Sequence, residues 1–177
     1  KLEAEQLIKE TGEQHSFETI IIRPALIVGP GAPGNIDSML TLLSKPIPIP
    51  VSATPNRKSY ITTSSLCDLV WRACIAVRVP CKPVLAANRP PLSTKEVFAA
   101  CRKGMRSKSP CWPIYNPVLK ALFILTGQAR TFKKLFASLE IDASLTESHF
   151  GWVAHDDLAE AFFQTAKAFK DGRDDRI

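Results

Sequence analysis

The sequence predicts an α/β domain with parallel strand pairing in at least part of its sheet, and three observations carry that prediction. Segments with helically spaced apolar residues alternate with short β-branched runs along most of the chain. A loop built of Gly, Pro and Ala, GPGAPG at residues 29–34, leads from the most apolar of these runs into a helix. The composition, 45% apolar and 23% charged over 177 residues, suits one globular domain able to bury a core.

The elements follow in order. Residues 1–11, KLEAEQLIKET, are strong helix formers, and Gly12 is a natural stop. FETIIIR reads as a buried strand from Phe17 to Arg23. After the glycine loop, Asn35 can cap a helix with Ile36, Met39, Leu40 and Leu43 on one face. Alternate prolines at 46, 48 and 50 exclude a helix and a central strand but permit an extended edge. KSYIT is a short strand, and Ser64 or Ser65 can cap a helix carrying Leu66, Leu69, Val70, Ala73, Cys74 and Val77. KPVLAAN is another strand, and STKE from Ser93 to Glu96 is a capping box opening a helix over Val97, Phe98 and Cys101. Lys103 to Pro117 is basic and broken by prolines, an irregular surface segment. YNPVLKALFILTG is a short apolar helix ending at Gly127, and SLEID resembles a late edge strand. Asp157 with Glu160 forms a second capping box for a helix through Phe169, before a solvated tail.

Lys and Arg outnumber Asp and Glu by 23 to 17, which favours an anionic partner such as a phosphorylated metabolite, RNA or an acidic membrane. The excess is spread out, without a block of like charges or interleaved aromatics, so no nucleic-acid partner is expected. Cysteines 67, 74, 81, 101 and 111 form no CxxC pair and suit reduced thiols, with Cys67 and Cys74 at heptad spacing expected in core packing. His15, His149 and His155 lack ligand spacing, so no metal site is expected. Arg23 and Lys120 interrupt the two apolar stretches, neither of which reaches the roughly 18 residues of a spanning helix. With a polar helix first and nothing like a signal peptide, the expectation is a cytoplasmic protein without membrane attachment. Near its start the sequence lacks the strand and GxGxxG turn with which a nucleotide-binding α/β enzyme opens; the loop GPGAPG at 29–34 has that glycine spacing but comes only after the first helix and strand.

KLEAEQLI, IIRPALIVGPGAPGN, NRKSYITTSSLCDLV and SLEID followed by FGW, in this order and spacing, resemble the C-terminal half of the nucleotide-sugar epimerase/dehydratase family, the extended short-chain dehydrogenases, UDP-glucose 4-epimerase-like members included. The resemblance implies that residues 1–177 form the last helices and strands of a Rossmann-like core plus the small substrate-binding lobe. The NAD-binding N-terminal half would then precede Lys1. Lys1 falls where the family's Tyr-x-x-x-Lys motif places its catalytic lysine. That residue lowers the tyrosine's pKa and holds the nicotinamide ribose.

By the same resemblance, backbone at Pro24 and Ala25 lines the NAD cofactor, and small residues there permit close approach. Leu26 and Val28 stand where related epimerases carry an asparagine that contacts the substrate diphosphate and a tyrosine. A glycine-proline turn that merely joins strand to helix explains the same stretch on local grounds. Asn35 opens a helix whose N-terminus suits a pyrophosphate, although a plain N-cap explains it equally well. Lys58 aligns with a phosphate-binding arginine and Arg57 is beside it, while Ser64 and Ser65 replace a paired acidic motif. Arg130 matches a second phosphate-binding arginine, Lys133 and Lys134 read as solvated, and Trp152 matches a packing anchor.

The implied function is an NAD-dependent nucleotide-sugar epimerase or oxidoreductase, UDP-hexose 4-epimerase-like, with this chain supplying the UDP-sugar-binding part. The alternatives are a 4-keto-sugar reductase or dehydratase of the same family and a non-catalytic nucleotide-sugar-binding module. The first helix is the candidate surface for a homodimer.

Overall fold

The computed structural model describes residues 2–52, 56–78, 80, 82–125, 127 and 136–174. Six strands pair in three parallel ladders, each made of one strand from early in the chain and one from later. β1 (Ile22–Pro24) pairs with β5 (Val84–Ala86), β2 (Leu26–Val28) with β4 (Tyr60–Thr62), and β3 (Ile49–Ser52) with β6 (Cys111–Ile114). The expected α/β architecture with parallel pairing in at least part of its sheet is present in all three ladders, and an isolated antiparallel bridge joins Lys58 to Leu92.

The helices are α1 (Leu2–His15), α2 (Asn35–Leu43), α3 (Thr63–Cys74), α4 (Thr94–Met105), α5 (Asn116–Leu125), α6 (Ser144–Phe150) and α7 (Leu158–Asp174). None is long and apolar enough to cross a membrane. Two cores result. The larger gathers Leu40, Tyr60, Phe98, Cys101 and Phe162 between α2, α4, α7 and the β2–β4 ladder. The smaller packs Ala25, Ile61, Leu69, Ala86 and Ala87 around Trp152. Ala25 from the β1–β2 junction, Ile61 from β4, Ala86 and Ala87 around the end of β5, and Trp152 meet in that second core.

Several boundaries differ from the sequence expectation, each for a local reason. α1 runs through Gly12 and stops at Ser16, which takes the left-handed conformation (φ 56) while the Phe17 amide donates to Gly12 O at 3.0 Å. Gly12 instead permits close approach, since a Cβ there would sit 3.0 Å from Phe17 O and Thr19 Cγ2. The strand expected at Phe17–Arg23 lies at Ile22–Pro24 and is not buried: Arg23 and Pro24 are exposed, as are Leu26, Ile27 and Leu85. Among the described residues no element covers that face. Cys67 and Cys74 are exposed rather than in the core, because α3 turns Ser65, Leu69 and Ala73 inward. Part of the segment expected to be irregular forms β6, and Pro113 and Pro50 fit because a two-stranded ladder leaves each strand an edge without bonds.

Caps shift as well. Gly34 (φ 73), not Asn35, is the N-cap of α2, and Asn35 makes no side-chain cap bond. Thr62, rather than Ser64 or Ser65, caps α3 by accepting from the Ser65 amide at 3.1 Å. The Ser93–Glu96 capping box is present in full. Asp157 accepts from the Ala159 amide at 2.8 Å, but Glu160 accepts from Gln164 instead of closing a box, and the helix continues past Phe169 to Asp174. SLEID contributes one bridge, Leu139 to Lys58.

The tightest packing joins α4 to α7. A Cβ on Gly104 would stand 2.3 Å from Phe163 O, a backbone atom that cannot swing aside. Gly104→Ala is expected to lower stability by about 2 kcal/mol, the usual scale of overpacking, with a matching drop in the urea midpoint.

Candidate functional site

The first three predicted site positions lie where the chain passes from one ladder to the next. Pro24 is the last residue of β1, opposite Ala86. The Ala25 amide donates to Ala86 O at 2.8 Å, and Leu26 then opens β2 opposite Tyr60. Proline has no N–H and Ala25 has spent its own, so this edge offers an approaching ligand small side chains and space rather than hydrogen-bond donors. That is a surface suited to a flat ring.

Lys58 precedes β4 by two residues, at the end of the ladder where β2 also begins. Its backbone exchanges hydrogen bonds with Leu92 at 2.9 and 3.0 Å and bridges Leu139 on its other side. Held between two neighbouring segments, its side chain is half-buried, and burial pushes the ammonium pKa below the ordinary lysine range. A partly desolvated cation gains more from an incoming anion than a solvated one. Asn56 fixes the approach to this position: its side chain donates to Thr94 Oγ1 at 3.0 Å and accepts from the Thr94 amide at 2.9 Å.

Arg57 differs from its neighbour. Its side chain is exposed and lies 3.7 Å from Glu140 Oε2, a weak and screened contact. Asn35 is exposed and follows the loop leaving the C-terminal end of β2, whereas Lys58 precedes the N-terminal end of β4. No strand register places the two side by side. Lys1 and Arg130 lie outside the described residues, as do Lys133 and Lys134.

Arg23, the charge set in the apolar β1 run, is held by α1. Its Nε and Nη2 donate to the two carboxylate oxygens of Glu5 at 3.0 and 2.5 Å. That bond holds the Glu5 carboxyl below the usual range and raises Arg23. Arg23 is thereby committed to docking the first helix.

One polar centre had no reading in the sequence. Asp156 Oδ2 accepts from Ser64 Oγ at 2.5 Å, from Ser65 Oγ at 2.8 Å and from Thr62 Oγ1. Asn88, 1% exposed, joins them by donating to Ser65 Oγ and Asp156 O at 3.1 Å and accepting from the Thr62 amide. Hydrogen bonds from Ser64, Thr62 and Ser65 hold the Asp156 carboxyl below the ordinary range. The carboxylate that Ser64 and Ser65 lack is supplied from 92 and 91 residues away. The only signal in the sequence is a pair of acids, Asp156 and Asp157, ahead of a helix. The centre borders a cleft of ≈310 Å³ lined by Val28, Gly29, Thr63, Asp156 and Glu160.

Gly29 serves packing there, because a Cβ would meet Thr63 Oγ1 at 2.4 Å. Burial pushes the Tyr60 hydroxyl and the Cys101 thiol each up to about 12, so neither is an acid or base near neutrality. Among the described residues no group of three or more His, Cys, Asp or Glu could hold a metal.

The described residues form a mixed α/β fold with parallel ladders, a fold shared with solved structures of each of which this chain covers about half. RMD from Pseudomonas aeruginosa, solved with NADPH, superposes with a TM-score of 0.70 at 10% identity, over 96% of this chain and 54% of its own. UDP-glucose 4-epimerase from Bifidobacterium longum, solved with NAD+ and UDP, superposes at 0.66 and 16% identity over 100% of this chain and 55% of its own. In sequence the chain is similar to UDP-glucose 4-epimerase of Vibrio cholerae, 31% identical over 172 residues. That match takes in 96% of this chain, which spans about half (52%) of the relative's length. No family model matches the sequence.

Proposed function

We propose that this chain supplies the UDP-sugar-binding part of an NAD-dependent nucleotide-sugar epimerase of the UDP-glucose 4-epimerase kind. The observation that carries the reading is Lys58: a half-buried cation at the β2–β4 edge beside Leu26, at the position where the family places a phosphate-binding arginine. The 31% identity along nearly the whole chain supports the same assignment. Lys58 binds the diphosphate, Leu26 bounds it without a polar contact, and Pro24 and Ala25 bound the cofactor ring. When bound, NAD would supply reversible hydride transfer at the sugar carbon. Lys1 completes a Tyr-x-x-x-Lys pair with a tyrosine in a preceding nucleotide-binding half, and lowers that tyrosine's pKa. Arg130 is the further phosphate contact in this reading, while Asn35, beyond the other end of the β2–β4 ladder from Lys58, is left as a helix-opening residue.

α1 presents Leu2, Leu7 and Ile8 to solvent, 73%, 64% and 49% exposed, and this face suits a homodimer contact. The protein is read as cytoplasmic.

The test is calorimetric titration of UDP and UDP-glucose into the protein. Lys58→Gln is expected to weaken binding about tenfold, the worth of one charge-assisted hydrogen bond. Arg57→Gln is expected to change it by about threefold at most, as befits a solvated cation. Unchanged UDP affinity in Lys58→Gln would remove the assignment. In the protein with its nucleotide-binding half present, UDP-glucose binding without any NAD binding would leave a nucleotide-sugar-binding module in place of the enzyme.

A further inference from the structure

A second cationic site lies away from the β2–β4 edge. Where α2, α4 and α7 end, a hollow of ≈430 Å³ is lined by Lys45, Arg106, Lys108 and Lys170, with Met105 and Phe169 among its apolar residues. No lining residue is acidic. Among the described residues none of the four cations makes an ion pair. Four cations around one concavity repel one another, and that arrangement gains most from a multivalent anion.

The frame behind the charges is fixed. Ser107 Oγ donates to Leu43 O at 2.6 Å, and Ser109, 1% exposed, donates to Leu43 O and Lys45 O. These bonds tie the turn after α4 to the end of α2. They also spend both serine hydroxyl donors, so the hollow selects by charge and has little with which to recognise a neutral polyol. Arg106 closes α4 in the left-handed conformation (φ 50), with its amide on Lys103 O and the Ser107 amide on Arg102 O. That position ordinarily takes glycine or asparagine, so an arginine there keeps a guanidinium at the rim against the backbone's preference.

We propose that this hollow binds a diphosphate-bearing small molecule at a site separate from Lys58. A concave pit ringed by four cations over the buried Met105 and Ser109 suits a compact anion, where a nucleic-acid strand would need a charged track with exposed aromatics.

The probe is inorganic pyrophosphate, with ADP in parallel, followed through the backbone amide resonances of Arg106, Ser107 and Ser109. Saturable shifts are expected. The midpoint should rise about tenfold or more in Lys45→Gln/Lys108→Gln, each lost cation removing a charge-assisted bond. It should stay put in Lys58→Gln, which separates this site from the proposed substrate site. ADP saturating below pyrophosphate would identify a nucleotide as the ligand, and equal midpoints would identify the diphosphate alone. Absence of saturable shifts at these amides would overturn the proposal. So would an equal rise in Lys9→Gln/Lys82→Gln, two cations on another surface hollow, because the effect would then be one of net charge.

Discussion

Trp152→Ala is expected to cost about 3–5 kcal/mol, the range for emptying a large aromatic from a packed core. Trp152 is fully buried and is the largest side chain of the smaller core, where Ala25, Ile61, Ala86 and Ala87 are too small to collapse into the space it leaves. Its Nε1 has no hydrogen-bond partner among the described residues, so its contribution is packing alone. Trp152→Phe, which keeps a ring and deletes the unpaired donor, should cost distinctly less. Urea unfolding of the three proteins gives the comparison. Equal losses for Ala and Phe would show that the indole makes a bond or a fit that the packing argument omits. Because Ala25 and the start of β2 rest on this core, the alanine variant should also weaken UDP binding in any protein that remains folded.

Asp156→Ala is expected to destabilise the fold by about 3 kcal/mol near neutrality, since hydrogen bonds to charged groups are each worth about 1.5–3 kcal/mol. Three hydroxyls lose one common acceptor, while the part of the site open to water recovers a share of the cost. The dependence on pH has a defined sign. The native carboxyl titrates below its unfolded value of about 3.9, so the unfolded chain binds more protons across the interval between them. The stabilisation is complete above the unfolded value and disappears as pH falls through the native one. The gap between wild type and Asp156→Ala should therefore be full at about pH 7 and close below about pH 4. A gap that persisted in acid would mean that Asp156 acts through packing rather than as a carboxylate.

The two variants probe features of opposite legibility. Trp152 was visible as an anchor because a tryptophan after a phenylalanine-glycine pair matches a known block and its burial follows from its size. Asp156 was not visible, because a carboxylate ahead of a helix reads first as a cap. Its three hydroxyl partners lie more than ninety residues earlier. The same division runs through the caps. Ser93 and Glu96 signal each other over three residues and form their box. At α3 the candidates Ser64 and Ser65 were nearby but wrong: the end of β4 fixes Thr62 in extended backbone (ψ 154), the geometry a cap requires.

By itself the sequence determined the alternation of helices and strands, the parallel class, the four blocks of family resemblance and the cation at Lys58. All of these are written in local spacing or in short motifs. Only the tertiary structure decided which cations are available. It committed Arg23 to Glu5, half-buried Lys58 between Leu92 and Leu139, and left Arg57 in water. It also gathered Lys45, Arg106, Lys108 and Lys170 around one hollow. Charge in a sequence carries no address, because desolvation and pairing are properties of neighbours brought together by the fold.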